Sequence, residues 1–231
     1  MCYPILAGLR DIESAGGSQT QLILIAKELV VQGWKVSFLV GDYGQDQKYE
    51  IIGNFEVYKV FTILKKQKLF QFVNNFLQLR KILHKINPQI CFTRGETGFL
   101  WPIANVCESA GIKTVYSSAH ITDFMRNHFI NGRSIINRKL YESSICRVDR
   151  IIAQSKDQQK LLKDGFNRES NVIYNSRYVP NQSANSDQSD FFIYVGSIKK
   201  IKQPEVFIEL AKSLPHLRFV MIGGSYEKDR S

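Results

Sequence analysis

Residues 190–224 read DFFIYVGSIKKIKQPEVFIELAKSLPHLRFVMIGG, and this stretch decides the fold. An apolar run, residues 191–195, ends in Gly196. A loop with Lys199, Lys200 and Lys202 follows, Pro204 opens an amphipathic helical pattern, and a second apolar run ends in Gly223-Gly224. Proline suits the first helical turn, where its missing N–H would have no intrahelical partner. Strand, helix, strand makes one β-α-β unit with parallel strands. One such unit opens a phosphate-binding α/β domain without completing it, and the sequence ends seven residues later. The expectation is one complete domain followed by the first part of another.

Working back from that unit, residues 180–189 (PNQSANSDQS) hold no large apolar side chain and read as an interdomain linker. Upstream, strand-like runs alternate with helical periodicity. Strands are expected at 3–7, 35–40, 55–61, 89–93, 113–117, 150–154 and 171–174. Helices are expected at 18–32, 66–86, 97–110, 134–146 and 156–164. Ser18/Gln21 and Ser155/Gln158 have capping-box spacing. The long helix 66–86 places Leu69, Phe72, Val73, Phe76, Leu79, Leu83 and Ile86 on one side. Short apolar strands alternating with helices predict an α/β fold with a mainly parallel sheet covered on both faces.

The chain has 231 residues, 44% of them hydrophobic, which suffices for a sizeable core. It contains no run of about eighteen apolar residues, and its start lacks the pattern of a signal peptide. Cys91 and Cys107 lie in apolar contexts that suit reduced, buried thiols. A cytoplasmic location is the expectation. Net charge is +10, unevenly spread: no acidic residue occurs between Glu56 and Glu96, where eight Lys and Arg side chains lie. Such a stretch attracts anions (a phospholipid surface, a phosphorylated substrate or nucleic acid), or is a solvated helix face.

Several residues suggest chemistry. Gly16-Gly17 sits at a strand-to-helix junction, where glycine lets a ligand approach the backbone and the free N–H groups of the helix start favour an anion. An ordinary tight turn is the alternative. Neither GxGxxG nor GxxxxGK[ST] occurs, against a dinucleotide-dependent dehydrogenase and a P-loop NTPase. In the loop 196–204, lysines beside a helix start suit a diphosphate, with Lys202 the favoured one. Gly223-Gly224 either lets a nucleotide lie against the backbone or simply turns the chain. His120 follows the strand 113–117. It is expected to face a cleft, hydrogen-bond a sugar hydroxyl or assist proton movement, with Asp123 placed to orient it. No zinc pattern or Ser-His-Asp elbow motif appears.

Taken together these residues resemble the family-4 retaining glycosyltransferases of the GT-B fold. The segments that carry the resemblance are GGSQTQLILIAKELVVQGWKVSFLV (16–40), RVDRIIAQSKDQQKLLKDGF (147–166), NVIYNSRYVP (171–180) and YVGSIKKIKQPEVFIELAKSLPHLRFVMIGG (194–224). The resemblance implies a complete N-terminal Rossmann-like acceptor domain, 1–179, the linker 180–189, and at 190–231 the beginning of a C-terminal nucleotide-sugar domain, truncated before the family's paired glutamates. It implies transfer of a sugar from a UDP- or GDP-linked donor to a saccharide or lipid-linked acceptor. Configuration would be retained, with no metal and no other cofactor. Gly16 and Gly17 would approach the donor, His120 would contact the transferred sugar, and Lys202, with Gly196 before it, would bind the diphosphate. Gly223 and Gly224 would form the nucleotide-side turn. Ser197 departs from the pattern, standing where the family usually has arginine. A role in cell-envelope polysaccharide synthesis, peripheral on the inner face of the plasma membrane, is the implied setting, and little activity is expected of the chain by itself. The competing expectation is a non-catalytic module that holds an anionic membrane surface or nucleic acid through the basic 57–95 stretch. No recognition motif supports nucleic acid.

Overall fold

The computed structural model describes residues 6–7, 17–61, 69–95, 98–126, 135–176, 190–196, 198 and 202–224. The chain divides into two compact units, Met1–Ser176 and Arg177–Ser231. The expected linker, 180–189, lies outside the described residues, as does most of the expected strand 3–7. Leu6 and Ala7, its described part, are in no strand and pack against Ala26, Val40, Phe55 and Val57.

The first unit opens with α1 (Gly17–Val31), then β1 (Ser37–Gly41), β2 (Tyr49–Ile52) and β3 (Phe55–Phe61). β1 runs parallel to β3, and β2 pairs antiparallel on its other side, giving the order β1-β3-β2. The β2–β3 hairpin was not anticipated. Its turn is Gly53-Asn54, with Gly53 at φ 59°, a backbone conformation that favours glycine. The expected box at Ser18/Gln21 does not form. α1 begins at Gly17, so Ser18 is already helical, and the Gln21 amide instead bonds the backbone of Ser176.

The rest of the unit comprises α2 (Leu69–Ile86), β4 (Ile90–Arg94), α3 (Leu100–Ser109), β5 (Lys113–Ser117), a 3-10 turn (Ile121–Phe124), α4 (Ile135–Arg147), β6 (Arg150–Ala153), α5 (Lys156–Phe166) and β7 (Asn171–Val172). β4-β5-β6-β7 form a four-stranded sheet in that order, parallel throughout. The expected parallel α/β architecture is therefore present. α3 is buried on more than one side. Leu100 and Ala104 join Tyr116, Tyr141, Ile145, Ile151 and Leu162, while Ile103, Val106 and Cys107 join Tyr58, Val60, Leu79 and Leu83. That double burial explains why its sequence is apolar nearly all round. Leu79 and Leu83 are almost fully buried, each stabilising by about 1.5–3 kcal/mol. Val73 departs from expectation: it is 48% exposed, because the buried side of α2 runs through Asn75, Leu79 and Leu83.

At α5, Ser155 Oγ accepts from Gln158 N at 3.2 Å, half of the expected box. Gln158 Oε1 turns to Gln154 N at 2.7 Å and Ser118 Oγ at 2.5 Å, tying the helix start to β5.

The second unit holds β8 (Phe191–Val195), α6 (Pro204–Ser213) and β9 (Arg218–Ile222), the β-α-β predicted from sequence. β8 and β9 pair parallel, Phe191 with Arg218 through Val195 with Ile222. Phe219 stacks on Phe192 at 5.2 Å and meets Phe207 edge-on at 5.5 Å.

Candidate active site

Parallel strands end at a common edge, and in the first unit three chain turns converge there. β4 ends at Arg94-Gly95, where Gly95 has φ 73° and donates its N–H to Ser117 O at 2.8 Å. A Cβ at position 95 would lie 3.0 Å from Ala119 Cβ and 3.9 Å from Ser18 Oγ. The turn after β4, the turn after β5 and the start of α1 therefore touch. Gly17 opens α1, and among the described residues no atom lies within 4 Å of where its Cβ would stand. Gly16 lies outside the described residues.

His120 is exposed and caps the 3-10 turn. Its Nδ1 accepts from Thr122 N at 3.3 Å and lies 2.8 Å from Thr122 Oγ1. An accepting Nδ1 places the proton of the neutral ring on Nε2, so Nε2 is a donor there. Asp123 does not orient the imidazole as expected. It is buried, and its Oδ2 accepts from Ala119 N at 2.6 Å and His120 N at 3.1 Å, holding the backbone of the turn instead.

Sequence reasoning did not assign a role to the polar network beneath this edge. Arg94 donates from Nη1 to Ser117 Oγ at 2.8 Å and from Nη2 to Asn175 Oδ1 at 2.7 Å. Asn175 Nδ2 passes to Gln154 Oε1 at 2.7 Å, and Gln154 Nε2 to Ser118 O. Burial pushes the Arg94 guanidinium below its ordinary pKa, and the negative charge of Asp123 offsets part of that shift. The signal for Arg94 was available: a guanidinium closing an otherwise apolar strand needs partners.

In the second unit the β8–β9 pairing continues past the strands. Gly196 N donates to Ile222 O and Ile198 N to Gly224 O, both at 3.0 Å. A Cβ at Gly223 would fall 2.1 Å from Gly196 O, so backbone proximity alone requires glycine there. Among the described residues no atom lies within 4 Å of a Cβ built at Gly224. Lys202 is exposed, directly before Gln203 (φ 48°) and Pro204 at the start of α6. Glu205 in the first turn places a carboxylate near the same amides. Ser197, Lys199 and Lys200 lie outside the described residues.

The structure thus groups Gly17 with the His120 turn in one unit, and Gly196 with Gly223 and Gly224 in the other. Two open hollows of about 470 and 420 Å³ are lined by residues such as Lys113, Asp149 and Arg150 at the starting ends of β5 and β6, the edge opposite His120, and include none of the candidate residues.

The profile of Glycosyltransferase Family 4 matches residues 15–176, well over half of the chain. The chain belongs to glycosyltransferase family 4. No curated protein matches the family-4 chain in sequence. Among solved structures it resembles sucrose-phosphate synthase from Thermosynechococcus elongatus, at TM-score 0.69 and 15% identity, covering 95% of this chain and 59% of that one. Anabaena HepE, solved in complex with UDP, gives TM-score 0.59 and 20% identity over 91% of this chain and 58% of that one. Acinetobacter baumannii MurG gives TM-score 0.55 and 15% identity over 94% and 57%. These likenesses establish the GT-B type of fold for the family-4 chain, which spans less than two thirds of the length of each of the three.

Proposed function

We propose that this chain supplies the acceptor-side domain and part of the donor-side domain of an enzyme that moves a sugar from a nucleotide-diphosphate sugar to a saccharide or lipid-linked acceptor, retaining configuration and using no metal ion. The observation that carries this reading is the meeting of the α1 start, Gly95 and the Ala119-His120 turn at the carboxyl edge of a parallel sheet, within the segment that matches the family. Ligands of open α/β sheets bind at that edge.

In this reading the sugar–phosphate bond breaks and an oxocarbenium-like centre forms. The His120 Nε2–H donates to an oxygen of the transferred sugar, a role that the Thr122 contacts to Nδ1 prepare. Lys202, with the amides at the start of α6, stabilises negative charge on the departing diphosphate. A phosphate oxygen accepts the acceptor's proton, so no strong protein base is needed. Asp123 acts by fixing the backbone of the histidine turn.

The test is incubation of the full-length protein with UDP- and GDP-sugars and with saccharide and lipid-linked acceptors. Nucleotide release should depend on the acceptor, and the anomeric coupling of the product should match that of the donor. His120→Ala should lower kcat by about 10²–10³-fold with the fold intact. Absence of acceptor-dependent release across the panel overturns the reading.

A further inference from the structure

The outward side of α2 carries aliphatic and cationic side chains together. Val73, Leu77, Arg80, Lys81 and His84 are all exposed. At about 100° per residue they fall within one third of the helix circumference, opposite buried Asn75, Leu79 and Leu83. Val73 is 48% and Leu77 57% exposed, although an aliphatic side chain in water is unfavourable. The cations lie toward the other end of the same stripe; no carboxylate occurs in the sequence from residue 57 to 95, and Glu56, opposite Ile51, is paired with Lys35 at 2.7 Å.

Past the end of α2 the pattern continues onto β2. The Lys85 ammonium sits over the rings of Tyr49 and Tyr58, at 5.5 and 5.6 Å, which joins the helix end to the hairpin. Tyr49 is 40% exposed and Ile51, on the same side of β2, is 67% exposed. Aliphatic, cationic and aromatic groups therefore form one outward band.

We infer that this band, Val73, Leu77, Arg80, Lys81 and Lys85 with the Tyr49/Ile51 side of β2, docks the first unit on an anionic phospholipid surface. The cations meet lipid phosphates while the aliphatic side chains enter the headgroup boundary, a pairing that amphipathic surface helices use. Nucleic acid fits less well. It rewards stacking aromatics and base-edge hydrogen bonding, whereas this band offers mainly branched aliphatics, and Lys85 occupies one face of the Tyr49 ring. No described helix is long and apolar enough to cross a membrane. The inference does not rest on sugar transfer, since binding is read without nucleotide.

The test is co-sedimentation of the protein with phosphatidylcholine vesicles, with and without phosphatidylglycerol, over a salt series. Binding should require the anionic lipid and weaken as salt rises. Each lost cation should lower partitioning about fivefold, so Arg80→Gln with Lys81→Gln together should lower it roughly 25-fold. Val73→Ser with Leu77→Ser should weaken binding at every salt concentration. Removing the same charge elsewhere, by Lys139→Gln with Lys160→Gln, should leave it unchanged. Circular dichroism should report an intact fold in all three. Equal binding to neutral vesicles, equal loss from the two charge pairs, or binding confined to oligonucleotides overturns the inference.

Discussion

The two units build a β-α-β motif from the same kind of sequence, and they differ in what surrounds it. Around β5 and β6 the first unit buries Tyr116, Phe124, Ile145, Ile151 and Leu162 at 2% exposure or less. Around β8 and β9 the only helical residue that is buried is Pro204, while Phe192, Val195 and Ile222 are 51%, 71% and 53% exposed. Strand pairing and ring contacts define the local geometry of both. Dense burial on every side is confined to the first, so a motif can be well formed and still contribute little core. The site residues follow the same division. The His120 turn is held by Asp123 beside a hydrogen-bonded network rooted in buried Arg94 and Ser117, whereas Lys202 is exposed.

The largest effect that would break this comparison is in the core. Leu162→Ala should cost about 2–5 kcal/mol in denaturant unfolding, while Val195→Ala, at an exposed site, should stay within about 0.5 kcal/mol. Similar losses at both positions would show that the second unit is packed as tightly as the first. Next is Lys202→Ala, expected to raise the transfer barrier by about 2–4 kcal/mol without changing unfolding, because the side chain is exposed and in the proposed role would act only on developing charge. Steady-state kinetics of the full-length protein check this, and unchanged kcat removes Lys202 from the site. Gly223→Ala should cost about 1–3 kcal/mol, since the new methyl must displace the backbone at Gly196. Hydrogen exchange should locate the loss in the second unit.

The smallest effect concerns acid. Asp149 accepts from Thr114 N and Oγ1, both at 2.9 Å, and pairs with Lys113 at 3.0 Å. The Thr114 N–H above all, then Lys113, holds its carboxyl down to about 2. A folded pKa below the unfolded one stabilises above about pH 4, and that contribution is lost as pH falls through about 2. The side chain is partly exposed, so the contribution is on the order of 1 kcal/mol. Asp149→Asn should remove it at neutral pH and flatten the acid limb of the stability profile.

Much of the first unit was legible because its strands are short, apolar and bounded by turn residues. Strands at 55–61 and 113–117 have the bounds that their sequence suggests. β2 was missed because YEII is short, although Gly53-Asn54 between two β-rich runs is a hairpin signal. The expected capping boxes failed, or formed only in part, where a side chain had a distant partner. Gln21 and Gln158 carry capping-box spacing, yet the amide of one serves Ser176 and that of the other serves Ser118. Local spacing cannot show that competition. The same limit applies at the site. Position after a strand end makes His120 a candidate, but only the folded backbone shows that Asp123 holds the turn and Thr122 the ring. Gly223 was read as a place for a nucleotide or a turn, and its nearest neighbour is the peptide oxygen of Gly196.

The Gln21–Ser176 pairing joins positions 155 residues apart, with the amide nitrogen donating to Ser176 O at 2.5 Å and the amide oxygen accepting from Ser176 N at 3.1 Å. Closing so long a loop is entropically costly, so this clasp should form only after the intervening strands and helices have assembled. A probe on Gln21 would therefore time the completion of the first unit, and the segment leaving that unit would acquire a fixed point of departure as the last act of its folding.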